Sequence, residues 1–285
     1  MSEPPAVTVL RPDLAPPATP LFDVHVHVGP SDTGELFYPN MQPSEWETII
    51  ASGGVARSCV FPPLRDSYLR ANEALADWAA GTGGAVLPVA RLGGEIPWTT
   101  HQLWQLRRKL RGKLSIRRPD VGDLSRFAGV KLLPHLDGLP DDATFNRINE
   151  LGLPIIVHGG IHVTAEWIES EVVSRTTGPV IIAHLGAFPA GDHELVQAVT
   201  VARRHERVYL DTSGVWLAAF LTYAAEKVGE KLVFGSDAPL THPLVAWHHL
   251  RVAVQDDALL EQIGWYTPCR LFGIDPDDRP DGWRA

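Results

Sequence analysis

Cysteine is nearly absent: Cys59 and Cys269 are the only two in 285 residues. Two thiols in a chain this long make no disulfide framework, which fits a reducing compartment. Long apolar runs are missing, and no stretch approaches the roughly 20 residues of a membrane helix. Residues 1–20 carry Glu3, Asp13 and several prolines, with no basic start and no apolar centre, so they do not read as a secretory signal. The expected location is the cytoplasm. Positive charge is scarce, with a formal net charge of -9. The one basic run, "LRRKLRGK" at 106–113, sits in a helical pattern and reads as a solvated face. Neither nucleic acid nor membrane is therefore an expected partner. No glycine-rich phosphate loop follows the first strand pattern, which disfavours a dinucleotide fold.

What is present is an alternation. Short β-branched runs occur at "LFDVHVHV" (21–28), "SCVF" (58–61), "AVLPVA" (85–90) and "GVKLL" (129–133). They continue at "PIIVH" (154–158), "VIIAH" (180–184), "VYLDT" (208–212) and "KLVFGSD" (231–237). Helical patterns lie between them, among them "WTTHQLWQLRRKL" (98–110), whose Trp98 and Trp104, with Trp167 further on, read as packing residues. Near-continuous apolar strands separated by helices imply a parallel sheet covered on both faces. Eight such units predict an α/β fold, a (β/α)8 TIM barrel of a single domain, rather than an open doubly wound sheet. The expected organisation is a Pro-rich N-terminal lead-in at 1–20, the barrel at 21–275 with an insertion at about 112–127, and a C-terminal tail at 276–285.

Within "DVHVH", Asp23, His25 and His27 share one face of the first strand and the valines the other, because side chains alternate along a strand. Such a pair alone could be the solvent face of an edge strand. In a barrel, however, the C-terminal ends of all strands converge on one mouth. His158 closes the fifth strand, His184 the sixth and Asp237 the eighth, and Lys131 lies in the fourth. Singly, each has an ordinary structural reading as a hydrogen-bonded histidine, a snorkelling lysine or a helix-capping aspartate. Together, four histidines and a carboxylate at converging strand ends point to a metal site. Imidazole and carboxylate suit Zn²⁺ or a similar first-row ion such as Mn, Fe or Co. Arg91, His135 and His162 lie on the same rim and are candidates for binding substrate; His242 is a weaker one. His248 and His249 sit inside a helical pattern and read as structural or exposed.

At this point the chain resembles the amidohydrolase superfamily, in its amidohydrolase-related branch of TIM-barrel metal-dependent hydrolases. The motifs carrying the resemblance are "DVHVH" (23–27), "GVKLLPH" (129–135), "GLPIIVHGG" (152–160), "VIIAHLG" (180–186), "VYLDTSG" (208–214), "LVFGSDAP" (232–239) and "CRLFGI" (269–274). The resemblance implies that His25, His27, His158 and Asp237 hold one metal. It implies that Asp237 accepts a proton from metal-activated water and that His184 polarises the substrate. In a binuclear version His184 and a carbamylated Lys131 would bind a second ion; one ion is the preferred reading.

Two enzyme readings follow. The first is a hydrolase acting on an amide, lactone or ester bond of a small-molecule substrate. The alternative is a decarboxylase of an aromatic or unsaturated carboxylic acid, which needs a cation at the carboxylate; Arg91, Arg117 and Arg118 are its candidates. A non-catalytic barrel binding protein is a remote third, since it would be expected to have lost a ligand or the aspartate. Loop residues do not spell out the substrate, and the oligomeric state, a homo-oligomer included, stays open.

Overall fold

The computed structural model describes residues 19–31, 40–52, 54–65, 67–94 and 121–279. The helical pattern at 98–110, Arg117 and Arg118, most of the 112–127 insertion and nearly all of the lead-in lie outside the described residues.

The eight apolar runs become eight parallel strands in one sheet, in chain order. They are β1 (Phe22–His27), β2 (Arg57–Phe61), β3 (Val86–Leu92), β4 (Gly129–Leu132), β5 (Ile155–Val157), β6 (Val180–Ile182), β7 (Val208–Asp211) and β8 (Leu232–Val233). Period-2 alternation sorts their side chains into two layers. Val130, Leu132, Ile155, Val157, Val180, Ile182, Val208 and Leu210 belong to an outer cluster shared with the helices. Cys59, Val89, Ile156, Ile181 and Val233 form an inner cluster with Trp265 and Cys269. The free thiols Cys59 and Cys269 are thus buried core residues, and burial pushes the Cys269 thiol up to about 11.

The helices are α1 (Pro43–Ala51), α2 (Leu69–Ala79), the single turn α3 (Pro134–Asp137), α4 (Asp142–Glu150), α5 (Ala165–Glu171), α6 (Asp192–Arg204), α7 (Ala218–Val228) and α8 (Pro243–Ala253). A terminal run follows: α9 (Asp257–Glu261), a π turn (Gln262–Tyr266) and α10 (Thr267–Leu271). Three of the starts carry side-chain caps, with Asp141, Thr164 and Asp256 accepting from backbone N–H groups. His242 caps α8 through its ring, accepting from Leu244 N at 3.2 Å. No described helix is long and apolar enough to cross a membrane.

The barrel closes between β1 and the segment after β8. Val24 N donates to Phe234 O (2.9 Å), His27 N to Ala238 O (2.8 Å) and Asp237 N to His25 O (3.0 Å). A Cβ at Gly235 would lie 2.9 Å from the Cβ of His25, so only glycine lets the seam close this tightly. Asp237 adopts a φ of 65°, in the left-handed region that aspartate and asparagine tolerate better than most residues. That turn aims its carboxylate back at β1.

Candidate metal centre

His25, His27 and Asp237 offer ligand atoms that all lie within 4.8 Å of one another. His25 Nε2 is 3.5 Å and His27 Nε2 3.3 Å from Asp237 Oδ1. Phe61 supports both imidazoles edge-on, with ring centroids 5.0 and 4.7 Å away. Lys131 Nζ stands 3.5 Å from His25 Nε2 and 5.1 Å above the Phe61 ring.

The hydrogen bonds behind these groups set their protonation. His25 Nδ1 lies 2.8 Å from Asp211 Oδ2 and 3.0 Å from Ser213 Oγ. Its Nδ1–H is therefore donated backwards, and its Nε2 lone pair faces Asp237 and His27, the tautomer a metal ligand needs. Burial, then the nearby Lys131 charge, pushes His25 down to about 3, so the ring is neutral near pH 7. Burial likewise lowers His27, against the pull of Asp237. Burial pushes Asp237 upward, but the hydrogen bond with His27, together with the neighbouring imidazoles, outweighs it, leaving the carboxyl below its usual range and ionised. Two neutral imidazoles and an anionic carboxylate fit a first-row divalent cation.

Asp211 and Ser213 also belong to this cluster, though the strand-end pattern of histidines gives them no expected role. Their signal is present: "VYLDTSG" puts an aspartate at the exit of β7. Asp211 Oδ1 accepts from His184 N (2.9 Å) and Ser213 N (3.0 Å), while Oδ2 serves His25. One carboxylate thus orients a histidine from β1 and the backbone of the turn after β6. Asp23 takes a different part. Its Oδ1 accepts from His25 N (3.1 Å) and Ser236 N (2.9 Å), tying β1 to the segment after β8. Burial pushes its carboxyl up to about 7.

His184 and His158 lie beside the trio. His184 stands in a left-handed turn, φ 59°, with its ring 5.0 Å from that of His25. Its Nδ1 is 2.9 Å from the Ser213 carbonyl, which can only accept, so Nδ1 carries the proton. Nε2 is 3.2 Å from His158 Nδ1 and accepts from it when both rings are neutral, leaving His158 Nε2 as an open lone pair. Burial, followed by the neighbouring His184 and His135, holds His158 well below its usual pKa. Beyond His158 the imidazoles continue outward, with the His135 ring 4.8 Å from His158 and the exposed His162 5.7 Å from His135. Lys131 is buried, and that burial lowers it to about 8.

Arg91 is placed differently. It is fully buried; Nε and Nη2 donate to Asp137 Oδ2 at 2.9 and 2.8 Å, and Nη1 to Pro62 O at 3.2 Å. The Tyr68 hydroxyl donates to the other Asp137 oxygen at 2.9 Å, and the guanidinium lies 4.8 Å over the Tyr68 ring. Its charge is engaged in a clamp between β3 and α3, the turn that carries His135. Removing one member of a buried ion pair strands the other charge and costs about 3–5 kcal/mol. Asp137→Ala is expected to lose that much in urea unfolding; a loss under about 1 kcal/mol would show that Arg91 is compensated elsewhere.

The barrel is a TIM barrel, and the His25, His27 and Asp237 cluster at the C-terminal ends of its strands is a possible metal site. The chain belongs to the amidohydrolase family, whose model matches residues 61–274. The match begins at the end of β2, so the β1 histidines are tied to the site by geometry. Solved structures of the same fold include a probable 2-pyrone-4,6-dicarboxylic acid hydrolase from Acinetobacter baumannii, at 15% identity and a TM-score of 0.64, covering 89% of this chain and 99% of that one. A 2,6-dihydroxybenzoate decarboxylase from Rhizobium matches at 14% identity and TM-score 0.57, covering 90% and 99%. A 5-carboxyvanillate decarboxylase from Sphingomonas paucimobilis matches at 12% and 0.54, covering 90% and 100%. No curated protein matches the chain.

Proposed function

We propose that this protein is a metal-dependent hydrolase that cleaves an amide, lactone or ester bond of a small molecule. The observation that carries the reading is the His25, His27 and Asp237 trio, with its ligand tautomer imposed by Asp211. His158 is the further ligand in this reading, its Nε2 left open by the bond to His184. A divalent ion such as Zn²⁺, held there, would supply Lewis acidity toward a carbonyl and toward water. Asp237 takes the proton from the attacking water, since it is ionised, buried and placed against both histidines. His184, anchored at Nδ1 and N, is the group that stabilises charge growing on the substrate oxygen, a role that requires a proton on its Nε2 in place of the bond accepted from His158. His135 and His162 line the approach and bind substrate polar groups. Lys131 stays an amine in a one-ion site and becomes a ligand only if carbamylated in a two-ion site.

The decarboxylase reading needs a cation for the departing carboxylate. Arg91 is engaged by Asp137, so that reading rests on Arg117 and Arg118. The test joins metal content to product identity. We expect about one Zn, Mn, Fe or Co per purified chain by elemental analysis, by the ligand count of a mononuclear site. A screen of lactones, amides and aromatic acids in H₂¹⁸O should place label in a cleaved acyl product. Release of CO₂ without label would replace the hydrolase with the decarboxylase; a chain without metal and without activation by added Zn²⁺, Mn²⁺ or Co²⁺ would sink both.

A further inference from the structure

Ser213 follows β7 by two residues, is fully buried, and meets three groups of the site with one oxygen. Its Oγ lies 3.0 Å from His25 Nδ1 and 2.9 Å from His184 Nδ1, and its hydrogen goes to Asp211 Oδ1. The three groups come from β1, from the turn after β6 and from β7 itself. A single hydroxyl thus joins the candidate ligand His25 to the substrate-facing His184.

The hydroxyl has no choice of direction. Asp211 Oδ1 already accepts from His184 N at 2.9 Å and from Ser213 N at 3.0 Å, so it is an acceptor and Ser213 donates to it. A hydroxyl has one hydrogen and two lone pairs. With the hydrogen committed to Asp211, both lone pairs face imidazole nitrogens. A bare nitrogen there would set lone pair against lone pair. Nδ1 therefore carries a proton in both rings, whatever the charge of either ring. The remaining acceptors agree, with Asp211 Oδ2 at 2.8 Å from His25 Nδ1 and the Ser213 carbonyl at 2.9 Å from His184 Nδ1. The backbone closes tightly around this oxygen. At Gly214 (φ +62°) an added Cβ would lie 3.2 Å from His184 Nδ1, and at Gly235 one would lie 3.1 Å from the Cβ of Ser213.

We propose that Ser213 is a positioning residue that locks the tautomers of His25 and His184 together. With both Nδ1 atoms tied to one oxygen, both Nε2 atoms turn away from it. His25 Nε2 then faces Asp237 at 3.5 Å and His184 Nε2 faces His158 at 3.2 Å, with the two rings 5.0 Å apart. A hydrogen-bond partner behind a ligating histidine fixes ring orientation and tautomer; here one partner does so for two rings. The proposal deepens the metal reading above and rests on it for what occupies the space the two rings face.

The test reads the rings directly. Long-range ¹H–¹⁵N spectra of metal-free protein with labelled histidine rings distinguish a protonated Nδ1 from a bare one, and His25→Ala and His184→Ala assign the signals. We expect a protonated Nδ1 in both rings of the parent and a bare-Nδ1 form in at least one ring of Ser213→Ala. Zn²⁺ affinity, measured by competition with a chromophoric chelator, should fall about tenfold in Ser213→Ala, the low end for losing such a partner because Asp211 remains. Ser213→Thr keeps the hydroxyl and should regain most of that loss. Melting temperatures show whether each variant folds; if the threonine variant does not, the alanine variant alone decides. A bare Nδ1 in either ring of the parent would overturn the lock. So would a Ser213→Ala protein with the parent's ring signals and affinity, or unchanged ring signals with equal Zn²⁺ losses in both variants, which would assign the effect to packing. A parent that binds no Zn²⁺ would overturn the metal centre instead, while the ring spectra, taken without metal, still decide the lock.

Discussion

Asp237→Asn should fold normally, bind substrate and lose about 10²–10⁴-fold in kcat, the range that a positioned acid–base group contributes. The choice of asparagine matters. Asp237 has a φ of 65°, and asparagine enters that region about as readily as aspartate, whereas alanine would add backbone strain. The amide can keep an oxygen toward His27, which stands 3.3 Å from Oδ1. What it loses is the negative charge that the histidines and their hydrogen bonds hold on this buried side chain. The variant therefore separates proton acceptance from shape. Melting temperature should stay close to that of the parent, and some metal should be retained. If kcat is near normal, the base lies elsewhere, and His184 is the next group to examine. In the decarboxylase reading the same loss is expected only if Asp237 also handles a proton, so the product has to be identified in the same experiment.

The barrel was legible because its signal is periodic. Each β-branched run in the sequence became a strand, and the order of the runs became the order of the sheet. Strand length was less legible at the seam. "KLVFGSD" reads as seven residues of strand, yet β8 pairs with β7 only over Leu232–Val233. Beyond it the chain turns through Gly235 and the left-handed Asp237 to bond with β1 instead, a long-range closure that no local pattern announces.

The candidate site was legible for a related reason and to a similar depth. Residues that project from strand ends are found by counting, so His25, His27, His158, His184 and Asp237 could be named. Their partners could not be paired. Arg91 looked like a cation free to meet a carboxylate, because Asp137 lies 46 positions away and only the β3–β4 packing brings the two together. His242 read as a rim histidine, while its ring nitrogen serves the start of α8.

His25→Ala should abolish high-affinity metal binding and activity together, and Asp211→Asn should show how much of that depends on orientation. His25 is 1% exposed, so the alanine variant loses one ligand and also leaves Asp211 Oδ2 without its partner at 2.8 Å. Some stability is lost with it. Asp211→Asn keeps every ligand in the chain. Its difficulty is in the count of acceptors. Asp211 receives His184 N and Ser213 N on one oxygen and His25 Nδ1 on the other, and an amide has only one oxygen to offer. If that oxygen stays with the two backbone donors, the amide N–H₂ faces His25 Nδ1, and the ring is driven to the tautomer with its proton on Nε2, pointing at Asp237. Loss of a hydrogen-bond partner behind a ligating histidine typically costs about 10–100-fold in metal affinity. We therefore expect graded metal binding in competition with a chromophoric chelator: strong for the parent, about 10–100-fold weaker for Asp211→Asn, and beyond measurement for His25→Ala. Full occupancy and turnover in His25→Ala would make the β1 histidines structural. An Asp211→Asn protein with the parent's affinity would show that Ser213 Oγ, 3.0 Å from the same nitrogen, sets the tautomer on its own.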